Sequence, residues 1–412
     1  MPAKGDLMGA GTVQKTLGIV IIWLIALGCG LDQTTSIQTE PPSLTATATV
    51  VPTVVPAPLP PSKASRIGDR NMSVFRGRGP SWSPDGTKIS FSTTGTQLPY
   101  PNNAAIYVIS PDGSSETRLT NPDNGRCITG IANMECISHS SPTWSPDGTK
   151  IAFVSERYVA QAKDVVHTSD IFVMNSNGSK QTNLTRDTTY VDKYGQIKGL
   201  SPDGKSLTTG VHHKNPKWSP NGTKIAFQTN RSDGADEHAK INWEIYVMDT
   251  DGSKPKYGAN LINLTDNTNA SSNQRADDQC PSWSPNGETI VYVSEGTDSQ
   301  EQPGSQTDIW TMNFDGSGKT KVFSDALGNW CPTWAPDGLT LGFVARPNTA
   351  PGATPKPQQL YLVPLGFKSD WVVTWAWTSN LKIGDVATYS WSSDGKRLAL
   401  GAEGIFIVDV KY

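Results

Sequence analysis

Short segments in which apolar and polar residues alternate recur along most of the chain, and turn residues bound each of them. Examples are "KISFST" at Lys88, "KIAFVS" at Lys150, "KIAFQT" at Lys224 and "TIVYVS" at Thr289. A period of two over four to eight residues marks a half-buried strand. The alternation belongs to a larger unit that repeats six times. The copies are "PSWSPDGTKISFST" from Pro80, "PTWSPDGTKIAFVS" from Pro142, "PKWSPNGTKIAFQT" from Pro216, "PSWSPNGETIVYVS" from Pro281, "PTWAPDGLTLGFVA" from Pro332 and "YSWSSDGKRLALGA" from Tyr389. Their marker tryptophans are Trp82, Trp144, Trp218, Trp283, Trp334 and Trp391.

Each unit has one plan. A first strand carries the Trp, and Ser-Pro-Asp-Gly then makes a tight turn. Pro presets φ, Asp suits the next position and Gly closes the turn. A second strand follows, then a variable loop and a third strand such as "AIYVIS", "DIFVMN" or "EIYVMD". A weaker fourth strand ends near Leu119, Leu184 or Leu264. Four antiparallel strands repeated six times predict an all-β fold, a six-bladed β-propeller. One blade exposes both faces and needs neighbours to bury its Trp and Ile positions. The last unit stops after its third strand. An N-terminal strand is therefore expected to complete the last blade and close the ring, and Met72–Arg76 in "MSVFRG" is the expected closing strand. An open ring would leave an aggregation-prone edge.

The unit "PxWSPDGxxIAFxS…DIYVMxxDG…LT" resembles the TolB-type propeller repeat, a relative of the WD-type repeats, over residues 72–412. That resemblance implies the fold. TolB carries an α/β domain before its propeller, whereas this chain has a Thr/Pro-rich stretch there. Fold alone does not fix function.

Before the propeller come two further regions. Lys4 and Lys15 precede an apolar run from Leu17 to Leu27, followed by Gly28-Cys29. This order is that of a secretory signal, and the Cys after Gly28 resembles a bacterial lipoprotein site. Residues 1–28 are read as signal peptide and Cys29 as the lipid attachment point. Residues 29–65, rich in Thr and Pro, are read as a linker, since repeated Pro favours extended chain. Residues 66–412 are the expected propeller. The run is too short for an ordinary span of about 20 residues. The expected location is outside the cytoplasm, lipid-anchored to the cell membrane and facing the periplasm or the exterior.

Composition adds little to the fold and excludes some functions. The chain of 412 residues has 18% charged residues, 38 Gly, 30 Pro and 13 Trp, which suits short strands and many turns. A net charge of −3 argues against nucleic acid as a partner. "GLSPDGKS" at Gly199–Ser206 matches the phosphate-loop spacing, but no helical period follows it, so no nucleotide is expected. No G-x-S-x-G elbow and no H-E-x-x-H motif occur. The last blade ends the chain, so no hydrolase domain is expected after it. The Asp-Gly turns lack a distal Glu ligand, and turn chemistry accounts for them without calcium. No metal and no cofactor are expected.

Five Cys leave four after Cys29. Cys127 and Cys136 share a loop. Cys280 and Cys331 each stand three residues before a repeat Trp in adjacent units, where equivalent positions converge near the axis. Both pairs are read as disulfides, which an exported protein favours.

Aligning the repeats also places five residues at the expected axial mouth. His139, His213, Asp278 and Asn329 stand five before their Trp, and Trp330 stands four before Trp334. They form the candidate ligand site, with hydrated channel polarity as the plainer reading. Trp371, Trp375 and Trp377 read as blade packing, and glycan stacking is the alternative. Glu156–Asp170 and Thr188–Asn215 are polar excursions suited to partner binding. The expected function is a membrane-tethered, non-catalytic module that binds an envelope protein or a glycan. A polysaccharide lyase or hydrolase acting through His139, His213 and Asp278 is the first alternative, and a structural envelope scaffold is the second.

Overall fold

The computed structural model describes residues 58–61, 63–67, 78–93, 104–122, 133–161, 164–185, 211–230, 242–250, 261–266, 276–295, 307–323, 330–346, 356–365 and 377–411. Within them the chain forms six antiparallel sheets. A single strand, β1 (Ser65–Ile67), precedes blade one, which is β2 (Arg78–Trp82), β3 (Ile89–Ser92), β4 (Ile106–Ile109) and β5 (Glu116–Arg118). Blade two is β6 (Asn133–Trp144), β7 (Lys150–Gln161), β8 (Asp164–Asn175) and β9 (Thr182–Asn183). Blade three is β10 (His213–Trp218), β11 (Lys224–Thr229), β12 (Glu244–Asp249) and β13 (Ile262–Asn263). Blade four is β14 (Asp277–Trp283), β15 (Thr289–Glu295), β16 (Thr307–Asn313) and β17 (Thr320–Phe323). Blade five shows β18 (Trp330–Trp334), β19 (Thr340–Ala345) and β20 (Gln359–Pro364) among the described residues. Blade six is β21 (Thr388–Trp391), β22 (Arg397–Gly401) and β23 (Ile405–Asp409), completed by β1. The fold is the expected six-bladed propeller, closed by an N-terminal strand.

The turn between the first two strands is built the same way in most blades. In blade two the Ser145 hydroxyl donates to Asp147 at 2.5 Å and accepts the Lys150 N–H at 2.9 Å, while Asp147 accepts the Thr149 N–H at 3.0 Å. Gly148 then sits at φ 69°, and a Cβ there would lie 3.3 Å from Pro84 of the preceding blade. The Thr that ends the fourth-strand segment also has a set task. Thr120, Thr185, Thr265 and Thr378 accept the N–H of Ile106, Ile171, Ile245 and Leu360 at 2.8–3.0 Å. Each hydroxyl satisfies a buried donor that the short outer strand leaves without a carbonyl.

The core is divided into six clusters, one in each seam between neighbouring blades. Ile106, Trp144 and Phe153 pack between blades one and two. Trp82, Ile89 and Phe91 meet Ala399 and Ile405 between blades one and six.

Three sequence expectations change here. The closing strand is Ser65–Ile67, not Met72–Arg76, which lies outside the described residues. Ser65 pairs with Ile407 and Ile67 with Ile405. Outer strands in this fold are short and polar ("ETR" in β5), so a single apolar residue, Ile67, is enough to join the seam. Pairing also begins inside the stretch read as linker, because the Leu59 N–H donates to the Lys411 carbonyl at 2.8 Å. Finally, Glu156–Asp170 is a continuous hairpin extension of β7 and β8, paired from Glu156–Ser169 to Gln161–Asp164, and not an irregular loop. Most of Thr188–Asn215, including the Gly199–Ser206 motif, lies outside the described residues.

Candidate functional site: the axial channel

The innermost strands line the axis, and a repeated backbone defect shapes that lining. Gly79, Ser141, Asn215, Cys280 and Cys331 stand three residues before the repeat Trp and have φ between 45° and 61°. At each, the pairing with the second strand slips, as between Lys214 and Lys217. The next residue in all five is Pro. Proline has no N–H for the ladder, and a bulge is where a strand accommodates it. Blade six tests this, since Tyr389 replaces the Pro and Thr388–Trp391 pair with Gly401–Leu398 in unbroken register.

These bulges meet around a cavity of about 70 Å³ lined by Gly79, Ser141, Asn215, Cys280, Cys331 and Thr388, together with the residues that follow them. Cys280 and Cys331 are joined across blades four and five, with Cα atoms 4.7 Å apart. The Asn215 amide donates to Gln228 at 2.7 Å and approaches the Cys280 sulfur at 3.3 Å, and the Cys280 N–H also donates to Gln228 at 2.9 Å. Towards the turn end the channel opens into a second cavity of about 190 Å³. Its walls are Trp82, Trp144, Trp218 and Trp283, with Pro84, Pro146 and Pro220. Lys217 lines both cavities.

His139, His213 and Asp278 occupy equivalent positions, as the repeat alignment requires, but neither axial cavity includes them in its lining. They are buried, at 6%, 1% and 4% exposure. Each His packs edge-on against the Phe of its own second strand, His139 on Phe153 at 5.1 Å and His213 on Phe227 at 5.6 Å. Their backbones tie the blades together. The His139 N–H donates to the Ala104 carbonyl of blade one at 2.7 Å, and the Asp278 N–H to Trp243 of blade three at 2.8 Å. Val386 repeats the contact to Gln358. At His213 the Ser169 hydroxyl takes this place. Burial first, then the nearby Arg118 charge, pulls the His139 pKa down to about 4, so its ring is neutral at neutral pH. The Tyr292 hydroxyl is pushed up by burial and, secondly, by the Asp278 charge.

Asn329, Cys29 and Cys127 lie outside the described residues. For Trp330 and Cys136 the backbone alone is described, paired with Val344 and Tyr158. Of the Trp cluster, Trp371 and Trp375 also lie outside. Trp377 is buried in the seam of blades five and six, and its indole donates to the Leu59 carbonyl at 2.9 Å. Among the described residues no three His, Cys, Asp or Glu side chains are grouped so as to hold a metal ion. Sequence reasoning passed over Lys217, although its signal was visible. The residue before the repeat Trp is Ser or Thr in five units and Lys in "PKW" alone.

Against known proteins, residues 78–160 match the model of the dipeptidyl peptidase IV N-terminal region. An uncharacterized peptidase, YuxL of Bacillus subtilis, is 25% identical over 267 residues, covering 58% of this chain and 34% of its own length. The chain thus spans about a third of that relative. A TolB homolog of Chlorobium luteolum is 32% identical over 103 residues, covering 24% of this chain and 19% of the homolog. The crystal structure of TolB from Acinetobacter baumannii aligns with a TM-score of 0.43 at 15% identity, over 80% of this chain and 66% of that one. The six repeats and the six four-stranded or three-stranded antiparallel sheets make this chain a six-bladed β-propeller, similar over part of its length to a TolB homolog.

Proposed function

We propose that the chain is an extracytoplasmic binding module of the cell envelope, tethered through lipid on Cys29, whose propeller engages an envelope protein or a glycan without turning it over. One observation carries this reading. Among the described residues, the candidate acid–base groups His139, His213 and Asp278 are buried, and neither of the two axial cavities described above has them in its lining. A group that transfers protons must reach the substrate directly or through one water. What lines these two cavities is bulged backbone, indoles and prolines with a few Ser and Thr residues and Lys217, a surface suited to holding a ligand.

Two measurements test this. Replacing Cys29 by Ser is expected to abolish incorporation of labelled fatty acid and to move the protein from the membrane to the soluble fraction. An unlabelled wild type would overturn the tether. Cross-linking in intact envelopes is expected to capture a saturable partner, while the purified chain leaves peptide and polyuronate substrates intact. Specific turnover would instead favour the hydrolase or lyase reading, for which the similarity to YuxL is the supporting observation.

A further inference from the structure

Lys217 stands alone in its ring. The equivalent residues of the other blades are Ser81, Thr143, Ser282, Thr333 and Ser390. It lies at the waist of the channel, where the bulge-lined cavity meets the Trp-lined one, and it lines both. Its backbone is fixed, because the Trp283 indole donates to the Lys217 carbonyl at 3.2 Å. Among the described residues no carboxylate pairs with its ammonium. Burial disfavours its charged form and holds its pKa below the ordinary lysine value, a cost that an anion placed beside the ammonium would offset.

We infer that Lys217 is an anion site inside the propeller, and that it receives the terminal carboxylate of a peptide entering from the turn end. The walls decide between carboxylate sources. A polyuronate carries a charge on every sugar and calls for a row of cations, yet this ring supplies one cation and five hydroxyl residues. A chain end carries one carboxylate on an otherwise neutral backbone, and its last side chains would rest against the indoles and prolines of the outer cavity. In this arrangement the Lys217 ammonium binds the carboxylate. Lys217 does not belong to the cluster of His139, His213 and Asp278. The site therefore stands whether the propeller serves a binding module or an enzyme.

The test uses the full chain and two probes, acetyl-Ala-Leu-Phe with a free C-terminal carboxylate and the same peptide as its C-terminal amide. Binding is read by calorimetry and by emission of the channel tryptophans. The acid is expected to bind at least about tenfold more tightly than the amide, and Lys217→Ser to remove that difference while leaving the melting temperature unchanged or higher. Equal binding of acid and amide to the wild type, or no binding of either, would overturn the site without any variant being needed. An acid preference that survives in Lys217→Ser would move it elsewhere. A trigalacturonate that binds more tightly than the peptide, and depends on Lys217, would overturn the peptide assignment.

Discussion

His139 shows how far a residue's neighbours redefine it. In the sequence it is a titratable side chain at a position shared with His213. In the fold its ring is wedged on Phe153 and its backbone holds two blades together. Its folded pKa of about 4 lies below the unfolded value of 6.5. Protonation therefore favours the unfolded chain, and the stability due to the neutral ring is whole above pH 6.5 and lost progressively as pH falls toward 4. A shift of that size corresponds to about 3 kcal/mol. Urea midpoints measured at pH 7 and pH 4.5 are expected to differ for the wild type, and His139→Phe is expected to flatten that slope. The turn carboxylates behave differently. Hydrogen bonds from Ser145 and then Thr149 lower the Asp147 pKa below 3.8, so its contribution is present above that value and disappears only in stronger acid.

At the scale of the element, one substitution pattern governs the inner strands. Proline before Ser, Thr or Lys and then Trp forces a bulge, the bulge puts the preceding residue at positive φ, and that residue turns to the axis. Cys280 and Cys331 are reactive partners because both occupy such a position in adjacent blades. The bond closes a sequence separation of 51 residues, for which the loop-entropy relation gives about 4 kcal/mol. Cys280→Ser is expected to lower the denaturant midpoint by an amount of that order. Adding reductant to the wild type should reproduce the loss, and the variant itself should not respond to reductant. The repeat alignment alone brought these two residues together. The equivalent argument put His139, His213 and Asp278 at the axial mouth, whereas the structure keeps them at one level of the ring, buried and outside the lining of the two described cavities. Alignment fixes the position along a strand, but the side to which a residue turns depends on the bulge between it and the Trp.

The whole molecule is a ring, so its stability depends on one seam that sequence-local contacts do not supply. β1 joins β23 through Ser65–Ile67, and Arg66 lies over Phe406 at 6.0 Å. Ile67→Asp is expected to cost about 2–4 kcal/mol by removing a seam contact and placing a charge beside it. It should also raise aggregation by freeing the edge of β23. Light scattering and urea unfolding would read both effects, and an unchanged midpoint would mean that the ring does not depend on this strand.

The sequence by itself determined the number of blades, the order of strands within each, the turns and the seam positions of Trp, Ile and Phe. These follow from local rules: alternation, Pro and Gly conformations, and repetition. It also held the signal for Lys217, the single cation at its position in the ring. Only the tertiary structure decided which N-terminal segment closes the ring, that Glu156–Asp170 pairs as a hairpin, and which polar residues see the axis. Those outcomes depend on contacts between residues far apart in the chain, where a short outer strand such as Ser65–Ile67 carries almost no pattern of its own. A bulge of one residue can turn a side chain from the channel into the seam, and local sequence leaves that outcome to the packing of neighbouring blades.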